Sequence, residues 1–292
     1  MKELVILSGK GGTGKTSLTA AFAAISESRV LCDADVDAAD LHLLMSPDIE
    51  RRTDFKGGGM AVINHDKCTE CGLCKDLCRF DAVKDNFEVD KIACEGCGVC
   101  VDLCPEKAID FPVKTCGEWY ISDTRFGPMV HARLGIAEEN SGKLVALVRQ
   151  EARKLAEKKG INLIITDGPP GIGCPVIASI GGASALLIVT EPTVSGIHDM
   201  KRAIELAAHF KVTAMVCVNK YDLNPEQTQA IEELVKKQNM TFLGKIPFDP
   251  VFTKAMVQGK TIFEHAEESI THQAVKNIWD GIMASSEMNA IG

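Results

Sequence analysis

Leu4-Val5-Ile6-Leu7-Ser8-Gly9-Lys10-Gly11-Gly12-Thr13-Gly14-Lys15-Thr16-Ser17 is the stretch that decides the fold. Leu4 to Ser8 is an apolar run of strand length and reads as a buried strand. From Ser17 to Ser26 the pattern is helical. Between them, Gly9 to Thr16 spells G-x-x-x-x-G-K-T, in the strand–loop–helix context that a phosphate-binding loop needs. The glycines let the backbone wrap closely and turn its N–H groups inward onto an anion. The N-terminus of the following helix favours the same negative charge. Lys15 is placed to neutralise β- and γ-phosphates, and the Thr16 hydroxyl to meet Mg²⁺. Gly9, Lys10, Gly11, Gly12, Thr13, Gly14, Lys15, Thr16 and Ser17 are therefore the expected nucleotide-binding residues.

Further along, strands end in acidic or polar motifs. A short strand from Arg29 to Cys32 runs into Asp33-Ala34-Asp35-Val36-Asp37. Another, Leu163 to Thr166, ends at Asp167-Gly168-Pro169-Pro170-Gly171, where a carboxylate before a Gly/Pro turn suits a magnesium site. Ala185 to Thr190 and Thr213 to Val218 read as two more strands, with a helical pattern from Ser195 to Phe210 between them; the second leads to Asn219-Lys220-Tyr221-Asp222. Strands alternating with helices predict an α/β fold with a mostly parallel sheet and helices on both faces. Ligands of such sheets bind at the carboxyl ends of the strands, where all these motifs fall.

Lys10 is a cation that a plain phosphate loop does not require. With it, residues 10–16 resemble the deviant Walker A family of MinD, ParA and the nitrogenase iron protein. The resemblance implies a P-loop ATPase that forms a nucleotide-dependent homodimer, in which Lys10 reaches the phosphates bound by the other subunit. It implies that Asp35 positions the attacking water, with Asp33 as the alternative and a helix cap as the purely structural reading of either. Lys10, Lys15 and Asp35 are thus the expected catalytic residues, and Thr16 and Asp167 the Mg²⁺ residues. The turn after Asp167 resembles the second switch of the family. Asn219 and Pro247, the latter within Ile246-Pro247-Phe248-Asp249, resemble its base-contacting positions. Asn219-Lys220-Tyr221-Asp222 also fits the guanine-reading motif of GTPases; the other motifs favour ATP.

The remaining signal is cysteine. The chain has 292 residues and 12 cysteines, eight of them between Cys68 and Cys104. Cys68, Cys71, Cys74 and Cys78 form one run, and Cys94, Cys97, Cys100 and Cys104 repeat it at an offset of 26 residues. Zinc sites usually use separate Cys-x-x-Cys pairs rather than two triple runs, each with a trailing cysteine. Residues 62–112 resemble a bacterial-type ferredoxin with two [4Fe–4S] clusters, in which the fourth cysteine of each run ligates the other cluster. That implies one cluster on Cys68, Cys71, Cys74 and Cys104, and another on Cys94, Cys97, Cys100 and Cys78. One departure is Arg79, where Pro105 follows the equivalent cysteine. The ferredoxin-like α+β insertion would divide the ATPase domain into residues 1–61 and 113–292, with Gly57-Gly58-Gly59 as a flexible joint. Cys174, shortly after Asp167, and Cys116 could join a further cluster or be structural thiols; Cys32 and Cys217 fall in strand patterns and read as core. His131 has no motif partner.

Composition narrows the function. Hydrophobic residues make up 46% and charged residues 25%, ordinary for a globular chain, and the net charge of −8 argues against a nucleic-acid-binding surface. No stretch approaches a membrane span and Leu4 to Ser8 is too short for a secretory signal, so the expected setting is a reducing cytoplasm without membrane attachment. Three functions are compatible with this reading. The first is an ATP-gated electron carrier acting on a redox partner. The second is a metal-cluster assembly or carrier ATPase resembling Mrp-type scaffolds and acting on an apo-metalloprotein. The third is a positioning ATPase resembling MinD and ParA.

Overall fold

A computed structural model describes residues 1–135, 140–265 and 269–289. Eleven strands are present among them: β1 Lys2–Ser8, β2 Val30–Asp33, β3 Asp48–Gly59, β4 Val62–Ile63, β5 Ile109–Asp110, β6 Val113–Thr124, β7 Gly127–Leu134, β8 Leu163–Pro170, β9 Ala185–Thr190, β10 Thr213–Asn219 and β11 Thr241–Ile246. Nine form one sheet in the order β11-β10-β9-β1-β8-β2-β7-β6-β3. The pairings from β11 across to β7 are all parallel. β6 and β7 are joined by only Arg125 and Phe126, a connection that only antiparallel neighbours can make. This is the α/β fold of a P-loop NTPase.

Alternation explains why the central strands are apolar throughout. In β1, Leu4 and Ile6 join one core with Leu18, Phe22, Leu31, Ile165 and Trp279, while Val5 and Leu7 join another with Val176, Ile180, Ile188 and Val216. Successive side chains point to opposite faces, and helices cover both, so neither face can carry polar residues. Helices Lys15–Ile25 and Ile270–Ala284 meet on the first face through Phe22 and Trp279, whose ring centroids lie 5.2 Å apart. Helices Cys174–Ile180, Val194–His209 and Pro225–Lys237 bring apolar residues to the second. Among the described residues, no helix is long and apolar enough to cross a membrane.

The chain divides into two compact units. One contains residues 1–52, 119–133 and 141–292; the other contains 53–118 and 134–140. The cysteine-bearing stretch lies wholly in the second unit. Its small core consists of Ala61, Ile63, Val83 and Ile109, with Cys68, Cys74, Cys78, Cys94, Cys100 and Cys104 packed against it. β4 and β5 pair antiparallel, Val62 opposite Asp110 and Ile63 opposite Ile109.

One expectation needs correction. Gly57-Gly58-Gly59 is not a joint but the last part of strand β3. Its glycines answer a need for space: a Cβ on Gly57 would lie 2.4 Å from the Phe55 ring, and one on Gly59 2.4 Å from the Phe111 ring. Strands β3, β6 and β7 also went unread in the sequence, because their mixed polar composition lacks the continuous apolar run of buried parallel strands.

Candidate functional site

The phosphate loop follows β1, and Gly14 caps helix Lys15–Ile25 at φ 90°. A side chain there would be strained, and its Cβ would lie 2.5 Å from the Asn219 amide nitrogen. That amide nitrogen donates to the Thr13 carbonyl at 2.8 Å, so the end of β10 holds the loop's shape. Lys220, next in sequence, donates from Nζ to the Gly12 carbonyl at 3.1 Å. The Thr13 hydroxyl is buried and meets no partner. An orphaned donor inside a phosphate loop fits an anion as its missing partner.

Strand β2 with the turn after it, and strand β8, place acids around Lys15. Its Nζ lies 3.2 Å from Asp35 Oδ2 and 3.2 Å from Asp167 Oδ1. Thr16 donates its hydroxyl to Asp167 Oδ2 at 2.6 Å, and Thr19 donates to Asp167 Oδ1 at 3.1 Å. Asp33 is fully buried and accepts from the backbone N–H groups of Asp35 at 3.1 Å and Leu41 at 3.3 Å. Of the two candidate aspartates, then, Asp33 braces the loop and Asp35 faces the lysine. Burial is the largest influence on Lys15 and lowers its pKa, but Asp167, Asp35 and Asp33 together outweigh it and raise it. Burial and the neighbouring Asp167 both raise the Asp35 pKa against the pull of Lys15. Asp33 rises well above the ordinary carboxylate range through burial and Asp167.

Asp35 and Asp167 against one ammonium leave excess negative charge. Among the described residues no three His, Cys, Asp or Glu side chains converge as a cage for one ion. Mg²⁺ seldom uses such a cage; it takes one or two carboxylates, water and substrate phosphates. Thr16 and Asp167, already hydrogen-bonded to each other, fit that pattern.

A cavity of about 170 Å³ lies beside the loop, lined by Gly12, Gly14, Ser17, Asn219, Lys220, Pro247, Phe248, Asp249, Phe252, Thr253 and Met256. Ser17, Asn219 and Pro247 thus come together here. Asp222 Oδ1 accepts from the Phe248 N–H at 2.6 Å and so fastens the 247–249 loop to the end of β10. Sequence reading missed Thr19, the bracing role of Asp222, and Glu191. Glu191 follows directly after β9 and bonds Lys10 and Lys220. Its position at the carboxyl end of a central strand was a usable signal.

In the second unit the two cysteine runs share one local geometry. Gly72 and Gly98, at φ 82° and 76°, cap the short helices Leu73–Asp76 and Val99–Asp102. Glu70 and Gly96 are both left-handed, as are Asp81 and Lys107. The Ala82 N–H donates to Cys78 Sγ at 3.4 Å and the Ala108 N–H to Cys104 Sγ at 3.3 Å. Every one of these pairs is 26 residues apart, so the repeat in sequence is a repeat in backbone. One cavity is lined by Cys68, Cys71, Cys74 and Cys104, with Cys100 also reaching it, and by Ile63, Leu73, Leu77, Phe87 and Ile109. A four-iron cubane is larger than one ion, so four thiols around such a cavity need not converge as ligands of a single metal do. Cys174 begins helix Cys174–Ile180 and is exposed; Cys116, Cys32 and Cys217 are buried. Burial pushes the Cys217 thiol up to about 12. His131 is buried with Nε2 2.9 Å from Ser122 Oγ and stacks on Tyr120. Burial, and then His42, lower its pKa to about 4.

Comparison with known proteins agrees with the nucleotide-binding fold. An uncharacterized protein of Methanocaldococcus jannaschii, MJ0578, is 34% identical over 225 residues, covering 76% of this chain and 79% of that one. The cytosolic Fe-S cluster assembly factor nubp2 of Xenopus tropicalis is 24% identical over 148 residues, covering 46% of this chain and 54% of that one. The structure of the septum site-determining protein MinD from Pyrococcus horikoshii, complexed with Mg-ADP, superposes with a TM-score of 0.59 at 19% identity, covering 97% of this chain and 96% of that one. The family model described as the CobQ/CobB/MinD/ParA nucleotide binding domain matches residues 4–262, and the chain belongs to that family.

Proposed function

We propose that this protein is an ATPase whose nucleotide-dependent homodimer controls electron transfer through two [4Fe–4S] clusters to a partner protein. The observation that carries the reading is that one chain brings Lys15, Thr16, Asp35 and Asp167 together beside a glycine loop and has, in its other unit, a cavity lined by Cys68, Cys71 and Cys74 together with Cys104 of the second run. Cys68, Cys71, Cys74 and Cys104 would hold one cluster, and Cys94, Cys97, Cys100 and Cys78 the other. Bound clusters would supply one-electron chemistry.

In the ATPase unit the work is positioning and charge neutralisation. The loop N–H groups and Thr13 receive the phosphates. Lys15 offsets their charge, and Thr16 with Asp167 would hold Mg²⁺. Asp35 orients the attacking water, and Lys10 reaches the phosphates of the second subunit. Asp222, bonded to Phe248 N–H, shapes the base cavity instead of standing free to read guanine, which supports ATP over GTP. The deciding experiment is anaerobic reconstitution, followed by reduction of the protein and measurement of electron delivery to candidate acceptors with ATP, with ADP and without nucleotide. Delivery that ignores nucleotide state would reject the coupling.

A second reading, cluster assembly or carriage, is favoured by the similarity to nubp2. It expects clusters that pass intact to an apo-protein. Clusters that stay bound while electrons leave would exclude it.

A further inference from the structure

We infer that Glu191 is a positioning residue that holds Lys10 on its own subunit and thereby sets how readily the nucleotide-bound chain dimerises. The inference rests on the role proposed above for Lys10 in the second subunit.

The geometry separates one fixed partner from one free to leave. Glu191 Oε1 meets Lys220 Nζ at 2.5 Å, and Oε2 meets Lys10 Nζ at 3.2 Å. Lys220 is anchored a second time at the Gly12 carbonyl, 3.1 Å away. Glu191 is fixed as well, because its carbonyl accepts from Thr193 N–H at 2.8 Å and its side chain is only 13% exposed. The Lys10 ammonium has no other bond among the described residues, and its side chain is 36% exposed. Its backbone is held, the carbonyl accepting from Ser8 Oγ at 2.8 Å. Release of Lys10 is therefore a side-chain rotation that leaves the loop intact.

The same ammonium cannot sit on Glu191 and on the phosphates of another subunit. Dimerisation must break this pair once in each chain. Glu191 is not orphaned when that happens, because Lys220 stays. The cost is thus that of a partly exposed pair, large enough to bias an equilibrium and too small to forbid it.

The test uses the full-length protein, Mg²⁺ and a non-hydrolysable ATP analogue, with dimerisation followed by sedimentation. Glu191→Gln keeps a hydrogen-bond acceptor for Lys220 and removes the charge that retains Lys10. Two lost pairs per dimer correspond to a dimer dissociation constant lower by roughly 2- to 30-fold. In a Lys10→Ala background the same substitution should change nothing, since its effect passes through Lys10. Unchanged or weaker dimerisation of Glu191→Gln, or loss of ADP binding by it, overturns the inference. If Lys10→Ala itself dimerises like the unaltered chain, it is the role of Lys10 in the second subunit that fails.

Discussion

Cys104 lines the same cavity as Cys68, although the two belong to different cysteine runs. The pairing arises because the duplicated unit folds back through β4 and β5, which brings the end of the second run to the start of the first. On the proposed ligation, replacement of Cys104 by Ala should damage the cluster of the first run and spare that of the second. Iron content should fall by about half. Cys78→Ala should give the complementary loss, with a different surviving electron paramagnetic resonance signal. Identical residual spectra for the two variants would contradict interleaved ligation.

Asp35 and Asp167 both touch Lys15, but only Asp167 also accepts from Thr16. Asp35→Ala should retain Mg²⁺-ATP binding and lose hydrolysis by about 10²-fold or more, the range for a group that manages the attacking water. Asp167→Ala should also weaken Mg²⁺ dependence. Binding measured by calorimetry alongside single-turnover hydrolysis separates the two.

Asp222 shapes the cavity proposed for the base through the backbone of Phe248. A hydrogen bond to a charged group contributes about 1.5–3 kcal/mol, so Asp222→Ala should weaken ATP binding by roughly ten-fold or more. It should not strengthen GTP binding. A selective loss of GTP affinity would show that the carboxylate reads the base itself.

His131 gives the fold a pH dependence. Its folded pKa of about 4 lies below the ordinary value of 6.5, so the unfolded chain binds the proton more readily. Its contribution is complete above about pH 6.5 and declines as pH falls toward 4, by at most about 1.4 kcal/mol per pH unit. His42 and Tyr120 are its ring neighbours. Urea midpoints measured from pH 7.5 to 5 should fall less steeply for His131→Gln than for the unaltered protein.

Local signals account for much of what the sequence determined. The phosphate loop, the strands that carry Asp33, Asp167 and Asn219, and the doubled cysteine pattern are all contiguous. Backbone wrapping, strand burial and the repeat each depend on residues a few positions apart. Tertiary structure decided what depends on distant segments meeting. It set Asp33 as a brace and Asp35 against Lys15, because the turn after β2 lies beside helix Lys15–Ile25. It placed Glu191 between Lys10 and Lys220, because β9 lies between β1 and β10 in the sheet. It also turned Gly57-Gly58-Gly59 from a supposed joint into a strand, because Phe55 and Phe111 occupy the space a side chain would need. None of these contacts leaves a trace in local periodicity, since each joins residues that only the order of the sheet or the packing of the small unit brings together.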